Sequence, residues 1–380
     1  MKVDILESID AIPAVEWNAL EAGGNPFLRH EFLAALEHHG CVGATFGWHP
    51  RHLVLRSADG RLLGASPLYR KDNSYGEFVF DHAWADALER AGRRYYPKLV
   101  CAVPYTPATG PRLLLAPGVD PAAVRTGLIE AACGLAAREG ASSLHWLFPT
   151  AEEAAALEGA GMLARTDIQY HWHNRPWRDF EDFLGALTAS RRKKIRQDRR
   201  RALAHGLDLE WIRGDCSSPE QRAAAAHCYR ATFDRKWGVA TLNRGFFDEI
   251  AGTMGRHLHL VLARGRDGYV AAAILFEGGN TLYGRHWGAV ASYPGLHFEL
   301  CYHLGIDYCI EHGLQRFEPG AQGEHKIWRG FVPTLTRSAH WIADPAFRDL
   351  LRDHLALERE AVAERLTALR AHVPFRRDGG

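Results

Sequence analysis

None of the seven cysteines, at 41, 101, 133, 216, 228, 301 and 309, stands in a C-x-x-C pair. That spread excludes a zinc ribbon, a thioredoxin-like redox motif and a disulfide framework, and it predicts reduced packing thiols in a cytoplasmic protein. Lysine is scarce, 7 residues against 39 arginines, so a single arginine says little about its position while Lys236 and Lys326 say slightly more. Net charge is nearly absent at +1. No global field therefore recruits nucleic acid or an anionic membrane, and any polyanion site must be local. The longest apolar run, Tyr269 to Phe276, falls far short of the roughly 20 residues of a membrane-spanning helix. The start, Met1-Lys2-Val3-Asp4, shows neither a signal-peptide core nor a lipidation motif. The pairs His171-x-His173 and His257-x-His259 each put two imidazoles on one strand face, yet further ligands cannot be assigned, so no metal site is expected.

What is present is the composition of an ordinary globular protein, 47% hydrophobic and 24% charged, over 380 residues. That length calls for two domains of roughly 150–200 residues. Two segments share one grammar. His52 to Leu55, a turn at Asp59-Gly60 and Arg61 to Tyr69 read as a β-hairpin; His259 to Leu262, a turn at Asp267-Gly268 and Tyr269 to Phe276 repeat it, with a third strand from Thr281 to Trp287. Turns this short make antiparallel meanders. Each half then shows an amphipathic helix, a capping glycine and a short strand: Pro121 to Glu139, Gly140 and Ser143 to Leu147, then Leu296 to His312, Gly313 and Gln315 to Glu318. The offset is 207 at the hairpins and 173 at the glycines, so duplication requires an insertion in the first half, assigned to Ser74 to Gly110. Two unrelated α/β elements built from common grammar are the alternative.

The seam falls near the strand Asp167 to Trp172. Phe180, Phe183, Leu184 and Leu187 mark a helix face with Asp179 as N-cap, and Ser190 is expected to cap a second helix ending at Gly206. Pro345 to His372 reads as a polar, Leu-spaced helix. The expected divisions are 1–166, 167–344 opening with a basic helix, and 345–380 as a C-terminal helix and tail.

The stretch Leu187-Thr-Ala-Ser-Arg-Arg-Lys-Lys-Ile-Arg-Gln-Asp-Arg-Arg-Arg resembles the helix that opens the second domain of the FemAB-like transferases. The block Gly313 to Gly320 leading into His325-Lys326-Ile327-Trp328-Arg329-Gly330-Phe331 resembles their helix, glycine, strand and Gly-rich loop followed by a Phe-Lys step and an aromatic, with His325 in place of the Phe and Trp328 following the Lys. Ser74 to Phe78, Tyr95 to Leu99, Gly284 to Gly288 and Pro319 to Lys326 extend the likeness over nearly the whole chain. They resemble a bacterial family of N-acyltransferases carrying the label of peptidoglycan biosynthesis proteins. The resemblance implies an α/β fold of two tandem GNAT-like (acyl-CoA N-acyltransferase) domains with mainly antiparallel central sheets. The CoA-binding signature of single-domain acetyltransferases, Arg/Gln-x-x-Gly-x-Gly/Ala opening a helix, is not clearly present.

Amide transfer needs a neutral amine, donors for the developing oxyanion and a proton acceptor, and no fixed nucleophile. Glu318 to Lys326 joins a strand end, a Gly-rich loop, two carboxylates, a His and a Lys. Glu318 or Glu324 could take the proton, and Lys326 could hold an anionic group; a plain surface turn with solvated charges is the alternative. In Gly284 to Gly288, alternation places Arg285 and Trp287 on one strand face and His286 on the other. His286 is a candidate acid or base, or a satisfied core histidine. Glu299 and Arg329 are candidate substrate-binding residues, although a carboxylate early in a helix also suits its dipole. Tyr75 and Glu77, with Asp81 and Lys98, read as a second wall of a cleft or as a packed loop. Arg191 to Arg201 carries eight cations and one Asp. Without acids for i,i+4 pairing, Arg191, Arg192, Lys193 and Arg196 read as a polyanion contact for tRNA, a carrier protein or phospholipid, or as a solvated face.

The function expected is N-acyl transfer from a thioester or ester donor (acyl-CoA, acyl carrier protein or aminoacyl-tRNA) to a small-molecule or peptide amine. No tightly bound cofactor is expected, and acyl-CoA or another acyl donor is a co-substrate. The alternative is a non-catalytic ligand-binding or scaffold protein on a degenerate GNAT fold.

Overall fold

Pro67 divides the first hairpin in a way the apolar run did not announce. The computed structural model describes residues 1–376 except 236, 237 and 322, so Lys236, and Gln322 of the Pro319–Lys326 block, lie outside the described residues. Two compact units are formed, Met1–Asp167 with Leu335–Glu364, and Ile168–Thr334 with Arg365–Gly380.

In the first unit, His52–Arg56 pairs antiparallel with Lys2–Leu6 and with Leu62–Ser66, which also pairs with Leu114–Leu115. Residues 61–69, expected as one strand, break at Pro67, which has no N–H for the ladder. Leu68–Lys71 turns into other company, pairing with Trp48–Pro50 and Lys98–Cys101. Lys98–Cys101 runs parallel to Ser143–Leu147, and the helix Pro121–Arg138 supplies the crossover such a pair requires. Asp120 caps that helix by accepting from the Ala122 N–H. Leu128, Ile129, Ala132 and Leu135 bury against Leu53, Leu55, Leu99 and Leu144. Ser143–Leu147 pairs on its far side with Ser338 to Ile342.

In the second unit, Asp208–Arg213, Leu258–Gly265, Gly268–Gly278 and Thr281–Ala289 form an antiparallel meander. Thr281–Ala289 then runs parallel to Arg316–Glu318, which pairs antiparallel with the end of Leu163–His173. Both hairpins expected from the sequence are therefore present, one in each unit. Asp179 caps Phe180–Gly185 as expected, accepting from the Asp182 N–H. The basic helix runs Ala189–Leu203, one residue ahead of the expected cap, so Ser190 lies inside its first turn and Thr188 is the cap.

Helix Pro219–Asp234 lies so close to the sheet that a Cβ on Gly288 would meet the Cys228 carbonyl oxygen at 1.7 Å. That contact is with backbone, which cannot rotate aside. Gly288→Ala is therefore expected to destabilise the protein by about 3 kcal/mol. Gly252→Ala, in helix Arg244–Met254 with nothing within 4 Å, should instead be neutral or stabilising by up to about 1 kcal/mol. Urea midpoints of both variants check the pair, and equal shifts would refute the close-packing argument.

Candidate functional site

The parallel pairing in the second unit is short. It registers Thr281 with Arg316, Leu282 with Phe317 and Tyr283 with Glu318, and then the strands part. Gly284 sits against Pro319, whose Cα would lie 3.2 Å from an added Cβ. One strand continues to Ala289, while the other turns through Gly320 (φ 94°) and Gly323 (φ 116°) into the 3-10 helix Glu324–Arg329. Those left-handed angles require glycine. The turn carries Lys326 inward, only 2% exposed, where its Nζ donates to the Gly320 carbonyl at 2.7 Å. Burial brings the amine down to about 7, slightly opposed by Cys301 and assisted by the positive charge of Arg285.

Arg285 is the extra residue of a β-bulge, since Ile274 faces His286 and Leu275 faces Gly284. The bulge breaks the alternation expected across 284–288. Trp287 packs edge-on to His297 at 5.2 Å, whereas His286 packs on Tyr229 of helix Pro219–Asp234 at 4.9 Å. The electrostatic neighbours of Arg285, Tyr229 and Glu318, set it apart from Trp287, and burial lowers its guanidinium to about 10. Burial, with Arg285 beside it, pushes His286 well below the usual range, so its imidazole is neutral at pH 7.

Of the two carboxylates in the loop, Glu318 is enclosed and Glu324 is not. Glu318 is 4% exposed and lies 3.0 Å from Arg316 Nε and 4.0 Å from His171 Nδ1. His171 is itself held down to about 3 by burial and by Arg316. Glu324 is exposed and pairs with Arg365 at 2.6 Å. Arg329 pairs with Asp198 at 3.2 Å, donates to the His325 carbonyl at 3.0 Å and lies 3.5 Å from the centre of the Phe298 ring. Glu299 is buried between Arg199 at 3.0 Å and His303 at 2.9 Å. Both residues are thus engaged in fastening the basic helix to its neighbours.

Some cations of the basic helix find acids, most of them on other elements. Arg196 bonds Glu181, Arg199 reaches Glu299 and Asp307, and Lys194 pairs with the helix's own Asp198. Arg191 covers the Trp328 ring at 3.9 Å. Among the described residues, exposed Lys193, Arg200 and Arg201 keep their charges for solvent.

The first unit holds a second polar cluster. Tyr75 is 74% exposed, but Glu77, Asp81 and Lys98 are buried. Lys98 Nζ donates to Glu77 at 2.8 Å, to Ser74 Oγ at 2.8 Å and to Asp81. Tyr95 donates to Asp81 at 2.6 Å and contacts His145, which shares a 2.6 Å contact with His340. Lys71, beside Lys98 in register, lies 4.0 Å from the centre of the Trp48 ring and is lowered by burial to about 7. Sequence reading missed Lys71, Tyr95, His145 and His340. One signal was available: the dipeptide His-Trp recurs at 145, 171, 286 and 340, each time on a strand.

Among the described residues no three His, Cys, Asp or Glu side chains gather as a metal site, and no helix is long and apolar enough to cross a membrane. The sequence model of the FemAB-like family, described as peptidoglycan biosynthesis/recognition, matches residues 8–377. No curated protein matches the chain significantly. Among solved structures, FemX is similar at 12% identity and a TM-score of 0.52, over 93% of this chain and 100% of that one. The C-terminal domain of a putative lysylphosphatidylglycerol synthetase from Agrobacterium fabrum is similar at 10% identity and a TM-score of 0.52, over 89% and 92%. L-PGS from Bacillus licheniformis is similar at 13% identity and a TM-score of 0.51, over 91% and 94%. The α/β fold with mainly antiparallel sheets is the one the sequence led us to expect.

Proposed function

From the premise that this chain belongs to the FemAB-like family and is a transferase, we propose that its second unit moves an acyl or aminoacyl group from an ester or thioester donor to an amine, with Lys326 receiving the proton. The observation that carries this reading is a buried lysine, near neutral pH in its titration, at the fork where two parallel strands part. A general base works best with a pKa close to the working pH. Attack of the acceptor nitrogen on the donor carbonyl forms the C–N bond. Collapse of the tetrahedral adduct breaks the C–O or C–S bond, and the nitrogen's proton passes through Lys326 Nζ to the leaving oxygen or sulfur. Arg285 supplies positive charge beside that centre for the developing oxyanion.

The exposed cations of the basic helix suit a polyanionic donor, of which aminoacyl-tRNA, acyl carrier protein and acyl-CoA are the three forms. Replacing Lys193, Arg200 and Arg201 together by Gln should weaken tRNA binding and lower the slope of log K against log salt by up to about 3, roughly one for each phosphate no longer neutralised. An unchanged slope would mean that the helix face is merely solvated. The transferase reading is tested by incubating the protein with each donor class and a panel of peptide and small-molecule amines and following amide formation. Donor binding without turnover across all three classes would favour a non-catalytic role.

A further inference from the structure

The second unit carries a pocket of about 300 Å³ bounded by Trp287 and Ala289 of the meander strand, Tyr293, Leu296 and His297 of the turn and helix that follow, and Arg235. It is joined to the Lys326 helix by aromatic contacts. His297 packs on Trp287 at 5.2 Å and on Tyr302 at 5.4 Å, and the Tyr302 hydroxyl lies 3.1 Å from Nε2 of His325, the residue before Lys326.

Size and chemistry limit what the pocket accepts. At ~30 Å³ per water-sized group there is room for roughly ten non-hydrogen atoms. A long acyl chain or a nucleotide is too large, and an amino-acid side chain with its carbonyl fits. Among the described lining residues, aromatic and aliphatic side chains stand beside the Ser292 hydroxyl and the His297 imidazole, none is a carboxylate, and the one full charge is the Arg235 guanidinium. Aromatic faces do hold cations, but here a second cation would meet Arg235 with no acid among the described lining residues to offset it, and like charges in one site disfavour each other. An uncharged apolar or aromatic group gains burial against Trp287 and Tyr293 without that penalty.

We propose that this pocket holds the side chain of the transferred group, and that the group is an uncharged apolar or aromatic aminoacyl residue rather than a lysyl one. The inference rests on the transferase reading above, so its test measures binding. Non-transferable 3′-amide-linked aminoacyl adenosines carrying phenylalanyl, leucyl or lysyl groups are titrated calorimetrically into the full chain. The phenylalanyl or leucyl analogue should bind at least tenfold more tightly than the lysyl one. Trp287→Ala should abolish the difference, and Arg235→Glu, an exposed change that spares the core, should reverse it. Equal or tighter lysyl binding by the wild type, a preference that survives both substitutions, or no binding by any analogue at millimolar concentration would each overturn the proposal. If amide transfer is found without the preference, the pocket assignment fails and the transferase reading stands. If the preference is found without turnover, the transferase reading fails while the pocket stands as a binding site for an uncharged aminoacyl side chain.

Discussion

Lys98→Met is expected to cost about 3–5 kcal/mol at pH 8, because it leaves two buried carboxylates without their counter-ion, and to cost clearly less at pH 5. Lys98 is fully buried between Glu77 and Asp81. Burial raises Glu77 to about 7 in spite of Lys98, while the pull of Lys98 and His145 keeps Asp81 below the usual carboxylate range against the same burial. The two acids therefore contribute oppositely to the wild type. The raised Glu77 makes the folded state hold a proton the unfolded chain has released, so its contribution is present at low pH and is lost as pH rises through about 7. The depressed Asp81 contributes stability above its unfolded pKa that is lost in acid. Without Lys98 both acids are raised, so the variant should recover as pH falls from 8 to 5. Glu77→Gln should be mild alone and should rescue part of the Lys98→Met loss, a coupling expected between side chains in contact. Denaturation of the three variants at both pH values decides it. A loss equal at pH 8 and pH 5, with no rescue, would mean that Lys98 acts through packing alone.

The parts of this molecule visible in its sequence are those governed by local rules. Hairpins announced themselves through short Gly turns, and Asp179 as a cap through its spacing from Phe180 and Phe183. Pairing across distance was not visible. Pro67 hands the chain from one sheet to another, residues 335–364 return to the first unit, and a π-helical turn at Glu299–His303 interrupts what reads as an uninterrupted helix. The bulge at Arg285 belongs to the same class, since it depends on the partner strand and overrides the period-two rule. At the site, charge alone could not rank Glu318 against Glu324 when one is enclosed and the other meets Arg365 from the far end of the chain. Scarcity was the better guide. In an arginine-rich chain, three of the six described lysines, Lys71, Lys98 and Lys326, are buried. Arginine cannot replace them where a compact or deprotonable amine is needed, because its guanidinium stays charged at neutral pH.

That distinction gives the sharpest test of the chemistry. If Lys326 receives the acceptor's proton, both Lys326→Met and Lys326→Arg should lower the rate of the chemical step by about 10²–10⁴-fold. The arginine variant keeps the positive charge and cannot release a proton, so a purely electrostatic role would leave it substantially active. Wild-type turnover should rise with pH through about 7, as the buried ammonium becomes the free amine, and should level off above. Folding disfavours the charged form of this lysine, so stability should also increase with pH between about 7 and its unfolded value; neither variant should show that rise from this group. Glu324→Gln, on the exposed outer end of the same helix and paired with Arg365, should change the rate by no more than about twofold, as surface substitutions commonly do. Single-turnover rates across pH 6 to about 9 for the four proteins separate these outcomes. An active Lys326→Arg enzyme with a flat pH profile would leave Lys326 as a binding charge and return the proton to a carboxylate, with Glu318, enclosed between Arg316 and His171, the first to examine.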